Sequence, residues 1–432
     1  MIQETTPKIR ERNPPNHRAD EMAYKILLPS EEPAGITNRK ILICGAGIAG
    51  PTLAYWLLQW GFEPTLVERA PALRTSGYMI DFSGVGYDVA ERMNLLPALS
   101  RDAYRIDEGR LVNTRGRVIS TDDGQLFQSA TKGRFISVLR GDLARHVYST
   151  IEGKIETIFA DSIRSIRQDR DGVDVTFERS ARRRFDLVLG ADGLHSAVRR
   201  AAFGEERQFE RYLGYCVAAF TVTGYPHRDE NVYVGHYMPG RQVWRYSLRD
   251  DRTAFTLIFS APSRPDVAHY DADAYRALLR QAFADAGWEI PAILDAVREC
   301  KDLYFDAVSQ IRMNRWSQGR VALTGDASLA PSLLSGQGSA FALTGAYLLA
   351  GELKAADGDH EIAFGKYQSR FKPFIDAQQE AAVRTIRWYA PKTQLDLWLR
   401  NTAIRLIALA FVSTQIGKRF VDIRFELPAY SD

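Results

Sequence analysis

Residues 45–50 read GAGIAG, held between the apolar run KILIC (40–44) and PTLAYWLLQW (51–60). A short unbroken apolar run is what a parallel strand covered on both faces requires. Beyond Gly50, Leu53, Trp56 and Leu57 recur at helical spacing, Pro51 suits a first helical turn, and Gly61 marks a stop. EPTLVE (63–68) supplies a second strand that ends on Glu68. Strand, glycine turn, helix, strand, acid is the order that cradles a dinucleotide. Gly45 permits the tight turn, Gly47 lets a pyrophosphate approach the backbone, and Gly50 lets helix and strand pack closely. The free N–H groups and positive dipole end of the helix then face the phosphates. The predicted cofactor contacts are therefore Gly45, Ala46, Gly47, Ile48, Ala49 and Gly50, with Glu68 accepting ribose hydroxyls and Arg69 beside it.

The totals agree with an ordinary globular protein. The chain has 432 residues, 45% hydrophobic and 25% charged, long enough for more than one cooperative unit. A net charge of +3 is too small to argue for a nucleic-acid partner, and the basic runs at 182–184 and 199–200 read as solvated turns. Cys44, Cys216 and Cys300 form no close pair, so neither a disulfide framework nor a zinc site is expected, and a reducing cytoplasm fits. Residues 1–38 are polar and proline-bearing, an N-terminal arm without the apolar core of a signal peptide. No stretch reaches the roughly 20 apolar residues of a membrane-spanning helix. The nearest, AIRLIALAFVSTQI (403–416), contains Arg405 and reads as a buried helix. Arg400, Lys418 and Arg419 at its ends keep a membrane-surface reading open.

Two later stretches choose among dinucleotides. FDLVLGADGLHSAVR (185–199) is a buried strand running into Asp192 and Gly193. GRVALTGDASLAPSLLSGQGS (319–339) is another, running into Gly325 and Asp326, then a glycine-rich turn and the helical run AFALTGAYLLAGEL. With GAGIAG, these match in order the three motifs of the class A flavoprotein monooxygenases, the para-hydroxybenzoate hydroxylase family, which the chain resembles from about Arg39 to Leu353. ERAPALRTSGYMIDF (68–82) and RGDL (140–143) look most like the tetracycline-inactivating and polyketide-hydroxylating branches.

The resemblance implies FAD in the GAGIAG fold, Asp326 on the ribityl chain, Arg140 and Leu143 near the flavin or its pyrophosphate, and Asp81 close to the cofactor. It further implies Arg74 as a contact for NAD(P)H, and Asp192 and Gly193 as serving both cofactors. Gly336, Gln337, Gly338 and Ser339 open a helix whose N–H groups would face the negative charge of a reduced flavin, with Pro331 shielding a C4a-hydroperoxide. For Asp192 and Arg199 an ordinary salt bridge is a rival reading, and Ser196 reads as a helix cap. A single glycine fingerprint suggests that the reductant visits transiently.

Between about 206 and 310 the pattern alternates: CVAAFTVTGY, NVYVGHYM, RQVWRYSLRD and RTAFTLIFSA. Trp244, Tyr246 and Leu248 share one face of the third run, and Phe255, Leu257 and Phe259 share a face of the fourth. Such a sheet would roof the flavin with an aromatic face suited to a flat ligand, with His236, Tyr237, Trp244 and Tyr246 as substrate candidates. GWEIP (287–291) reads as a helix start.

The expected fold class is α/β: a Rossmann-like FAD-binding domain (39–108, 135–205 and 311–353), a mostly antiparallel β-sheet substrate domain (109–134 and 206–310), and a C-terminal helical region (354–432). In that region Leu395, Trp398, Leu399, Ile404 and Leu406 are expected to brace the two domains. The function implied is an FAD-dependent monooxygenase that uses NAD(P)H and O2 on an aromatic or polycyclic small molecule, needing no metal; the oligomeric state is left open. A flavin halogenase, an FAD dehydrogenase and a non-catalytic, redox-responsive flavoprotein remain alternatives.

Overall fold

A computed structural model describes residues 36–74, 77–124, 131–226, 229–267, 271–300, 302–389, 391–407 and 425–430. The N-terminal arm before residue 36 and most of the 403–416 run lie outside them. The first strand, turn and helix form as the pattern requires: β1 (Lys40–Cys44), α1 (Ala49–Gln59) and β2 (Glu63–Glu68). β1 is the centre of a six-stranded sheet with β7 (Glu156–Phe159), β11 (Leu187–Gly190), β17 (Ser317–Gln318) and β18 (Val321–Leu323), in the order β17-β18-β11-β1-β2-β7. All pairs in it are parallel except β17 with β18. The middle strands are buried along nearly their whole length, because helices cover them.

α9 (Gly338–Ala355) is apolar all round and buried from Ala340 to Leu353, as a helix sandwiched between others must be. It packs on α1, on α2 (Val85–Arg92) and on the long α10 (His360–Tyr389). Residues 425–430 return to this layer, where the Tyr430 hydroxyl donates to Glu352 Oε1 at 2.7 Å.

Between these elements lie a two-stranded ribbon, β3 (Met79–Ser83) with β6 (Phe135–Leu139), and the helices α3 (Leu96–Asp102), α4 (Arg140–Ser149) and α5 (Ala197–Ala202). A three-stranded antiparallel sheet follows from β8 (Ile163–Gln168), β9 (Val173–Phe177) and β10 (Arg183–Phe185). The basic run 182–184 is thus not simply a solvated turn: Arg183 and Arg184 lie in β10, and the three arginines pair with Asp174, Glu156 and Asp169.

The second large sheet has the order β16-β12-β15-β14-β13-β4-β5. Its strands are β4 (Glu108–Val112), β5 (Val118–Asp123), β12 (Glu210–Thr223), β13 (Val232–Met238), β14 (Arg241–Ser247), β15 (Arg252–Ser260) and β16 (Tyr304–Ile311). Every pair is antiparallel except β13 with β4. One face carries Cys216, Phe220, Val243, Phe255, Leu257 and Phe259, buried under α6 (Ala272–Ala282) and α7 (Ile290–Glu299). α7 starts inside GWEIP as expected. The aromatics of β15 therefore roof nothing; they form the core between sheet and helices. The opposite face meets the ribbon and the loop before α9, through Tyr246 and Ala254 near Leu139 and through Val217 and Ile258 near Leu334.

Candidate active site

The parallel strands all end at one edge of the first sheet, and the three glycine-bearing stretches follow three of them. Ala191 N–H donates to the Cys44 carbonyl and Thr324 N–H to the Gly190 carbonyl, each at 2.8 Å, so the ends of β1, β11 and β18 stand side by side. Gly45 sits at φ +104°, and a Cβ there would lie 2.5 Å from the Ala191 carbonyl oxygen and 2.7 Å from Asp192 Cα. A Cβ on Gly50 would overlap the Gly45 carbonyl oxygen. Neither position admits a side chain. At Gly47 a Cβ would meet nothing within 4 Å, so the turn opens outward at its middle.

The start of α1 has no side-chain cap and no acid in its first turn, which leaves its N–H groups to an external anion. Glu68, at the end of β2, accepts from Ala46 N–H at 2.7 Å and Ala70 N–H at 2.8 Å. These two bonds fix its carboxylate beside the turn, with lone pairs to spare. The start of α9 is likewise uncapped and free of acids. Leading into it, Ser332 holds φ +100°, a conformation costing on the order of 1–3 kcal/mol in a residue with a side chain. These are the donor set, the backbone cradle and the uncapped helix starts that FAD requires.

Three carboxylates mark the cleft between this edge and the second sheet. Asp326 begins α8 (Asp326–Leu329) and is open to solvent, though surrounded by protein. Burial in that mass raises its carboxyl above the usual range, against the pull of Arg140. Asp81, on β3, is also open to solvent; burial raises it and a 2.6 Å hydrogen bond from Ser137 Oγ opposes the rise. Asp192 is raised by burial too, although it accepts from Ser196 Oγ, Ala197 N–H and Val198 N–H at 2.5, 2.7 and 3.1 Å.

Asp192 thus caps α5 and does not pair with Arg199. Ser196 caps as well, accepting Arg199 N–H at 2.9 Å. Arg199, fully buried, donates to the carbonyls of Leu194 (2.6 Å) and Ala327 (2.8 Å) and to Glu206 (3.0 Å). It stitches the second glycine-bearing stretch to the third.

The other wall is the second sheet. Register partners in an antiparallel pair share a face, so Tyr233, Gly235, Trp244, Tyr246, Thr256, Ala219, Tyr304 and Asp306 all lie on the face turned to the first sheet. Small residues at Gly235, Ala219 and Ala254 alternate with the aromatics on this face; Trp244 covers Gly235, and Ala254 packs with Tyr246 and Leu139. The Trp244 ring lies flat against Gly235, where a Cβ would come within 2.7 Å of it, and meets Tyr233 and Tyr237 edge-on at 6.1 and 5.5 Å. From the first sheet's side, Tyr78 approaches Tyr304 with ring centroids 5.7 Å apart. Burial holds both phenols in the neutral form.

Several expected contacts lie elsewhere. His236 alternates with Tyr237 and points to the helix-covered face, where it is 2% exposed, donates from Nδ1 to the Val112 carbonyl at 2.9 Å and sits 5.6 Å from Trp288. Burial lowers its pKa, so it is neutral and remote from the cleft. The side chains of Leu143, Ile48 and Ala49 are buried in the core around the first sheet, which leaves their backbone groups as the ones available to a cofactor. Pro331 is buried, its carbonyl accepting Gln310 Nε2–H at 3.0 Å. Arg69, Arg74 and Gly336 are exposed, and Arg140, Gly193, Gln337, Gly338 and Ser339 are half-buried. Gly338 in particular is 3.8 Å from Asp326 Oδ1 when given a Cβ.

Leu395, Trp398 and Leu399 are 64, 62 and 51% exposed and point away from both domains; among the described side chains of α11 (Gln394–Ile407) the buried one is Arg400, stacked 3.6 Å over the Tyr237 ring. The side chains of Ile404 and Leu406 lie outside the described residues. Tyr78, Tyr233, Tyr304, Asp306 and His195 are cleft or near-cleft residues that the motifs did not single out. Tyr78, Tyr233 and His195 stand inside stretches quoted above, but nothing in those patterns set them apart from their neighbours.

A parallel sheet whose carboxyl edge gathers three glycine-bearing turns around an uncapped helix defines a dinucleotide-binding redox protein. Residues 38–361 match the family described as FAD binding domain, and the chain belongs to that family. It is 40% identical over 357 residues to an uncharacterised protein of Mycobacterium tuberculosis, spanning 82% of this chain and 96% of that one. It is 36% identical over 354 residues to a flavin-dependent monooxygenase of Legionella longbeachae, spanning 80% and 88%.

Among solved structures, tetracycline destructase Tet(51) superposes with a TM-score of 0.78 at 31% identity, over 90% of this chain and 100% of the other. Klebsiella pneumoniae HpxO, solved with FAD and uric acid, shares the fold at 20% identity, with a TM-score of 0.69 over 88% of this chain and 97% of that one. The protein is a flavin-dependent monooxygenase, and its cofactor is FAD.

Proposed function

We propose that the enzyme hydroxylates a flat aromatic or polycyclic small molecule held between the flavin and the second sheet, with NAD(P)H as reductant and O2 as oxidant. The overall change is substrate–H + O2 + NAD(P)H + H+ to substrate–OH + NAD(P)+ + H2O. FAD, when bound, supplies the activation of oxygen and its transfer. The chain's residues bind, orient and keep water out.

In this reading the turn 45–50 and Glu68 hold the adenosine diphosphate half, Asp326 the ribityl chain, and Arg140 the region between them. Asp192 and Gly193 complete the floor, and the N–H groups at Gly336, Gln337 and Gly338 face the ring system. Tyr233, Trp244, Thr256 and Tyr304 form the substrate wall, with Tyr237 at its end; Tyr246, 2% exposed, packs against Tyr104 and Leu139 and gives its hydroxyl to the Arg105 carbonyl at 2.7 Å, so it is dropped from the substrate candidates. The observation that carries the reading is an aromatic sheet face directly opposite the three glycine-bearing turns. A flat apolar ligand is what such a slot accommodates. The exposed Arg74 is assigned to the visiting nicotinamide nucleotide, and three unpaired, buried cysteines suit a cytoplasmic location.

The purified protein is expected to be yellow and to oxidise NAD(P)H faster when given members of a panel of phenols and polycyclic polyketides, yielding a product heavier by one oxygen. Stimulated oxidation with no oxygenated product from any panel member would refute the proposed reaction. Asp326→Ala should lose most of its FAD on gel filtration, read from the ratio of flavin to protein absorbance. Full occupancy in that variant would remove Asp326 from the cofactor site.

A further inference from the structure

His195 stands between two carboxylates. Nδ1 lies 2.9 Å from Glu206 Oε1, and Nε2 lies 3.2 Å from Asp306 Oδ1. A neutral imidazole has one N–H, so one of these contacts would set a ring lone pair against a carboxylate. With both carboxylates ionised, both contacts are favourable only if the ring carries both protons.

The surroundings point the same way. Glu206, from the turn after α5, is also bonded by Arg199 of α5 at 3.0 Å and approached by Arg264, beyond β15, at 3.6 Å. Arg264 pairs in turn with Glu210 of β12. The three carboxylates Glu206, Glu210 and Asp306 thus face the three cations His195, Arg199 and Arg264, and the cluster is neutral only with His195 charged. Asp192, on His195's own loop, is occupied in capping α5.

Asp306 is the member that reaches the cleft. It sits on the cleft face of β16, two residues from Tyr304, and its field acts on Tyr304, Tyr78 and Asp326, with Arg140 opposing it there. Resting on the FAD site proposed above, we infer that His195 is a charge-balancing residue of the active site, whose imidazolium cancels Asp306 so that this carboxylate does not oppose a negatively charged, reduced flavin. Its reach is electrostatic and passes through Asp306, so it is a positioning residue and touches no reactant. The two flanking carboxylates hold its pKa up at about 9, against the burial that would lower it, so the balance persists at neutral pH.

The test is the flavin midpoint potential of FAD-loaded protein, titrated spectroscopically. His195→Gln should shift it to more negative values, His195→Lys should restore most of the shift, and Asp306→Asn alone should move it to more positive values. The double variant with Gln and Asn should return near the wild type. The wild-type potential should also fall with an additional inflection near pH 9 that His195→Gln lacks. An unmoved potential in His195→Gln, or shifts of the same sign in His195→Gln and Asp306→Asn, would overturn the inference. So would loss of FAD from both His195 variants with Asp306→Asn unmoved, because His195 would then serve folding alone. A wild-type protein unable to take up FAD would instead overturn the reading on which the inference rests.

Discussion

At Gly235 one methyl group is enough to move an indole. The Trp244 ring rests on the bare Cα, and a Cβ would intrude on three of its ring carbons at 2.7–3.0 Å. Overpacking of this kind costs about 1–3 kcal/mol where the neighbour cannot yield. Trp244 is only partly buried and can swing outward, into the space assigned to substrate. Gly235→Ala is therefore expected to raise KM for an aromatic substrate roughly tenfold, about 1.4 kcal/mol, at unchanged flavin content. A steady-state KM equal to the wild type would show that Trp244 does not shape the slot. The position of Asp326, by contrast, follows from its motif: a buried strand and Gly325 lead directly into it at the start of α8, while its role toward the cofactor is the one proposed above.

At the scale of single elements, the alternation of β13 to β15 separated two faces in the sequence, but alternation carries no sign. It cannot say which face a later pair of helices will cover. α6 and α7 take the face of Phe255, Leu257 and Phe259, and His236 goes with them. Local patterns sufficed for β1, α1, β2 and α9, whose partners lie close in sequence or whose apolar surface runs all round. The same limit applies to α11, where, among the described side chains, three apolar ones face solvent and the buried one is a cation. Arg400 over Tyr237 is a cation–π contact shielded from water, worth about 2 kcal/mol. Arg400→Ala should speed amide hydrogen exchange across Gln394–Ile407 by more than tenfold while leaving β13 protected. Exchange at the wild-type rate would mean that this helix is held by something else.

Across the whole molecule, the His195 cluster ties the first sheet's second motif to β12 and β16 of the other sheet, so its charge state bears on global stability. A pKa raised from 6.5 to about 9 favours the folded state in full below pH 6.5, and that contribution is lost as pH rises through about 9. Its upper bound is roughly 3 kcal/mol. Between pH 6.5 and 10 the melting temperature of the wild type should fall by several degrees more than that of His195→Gln; parallel curves would show that the histidine is not held charged by the fold. None of this was visible in the motif ADGLHSAVR, because Glu206 reaches His195 from the turn after α5 and Asp306 is brought there by the pairing of β16 with β12, 111 residues away.

The side-by-side arrangement of β1, β11 and β18 has a further consequence for how the enzyme matures. Some 280 residues separate Gly45 from Asp326, so a chain emerging from the ribosome carries its first cradle long before the last strand can slot in beside β11. Contacts this distant in sequence form late and slowly. Acquisition of colour by the nascent protein is therefore expected to follow the pairing of β18 with β11, the last step in closing the parallel sheet.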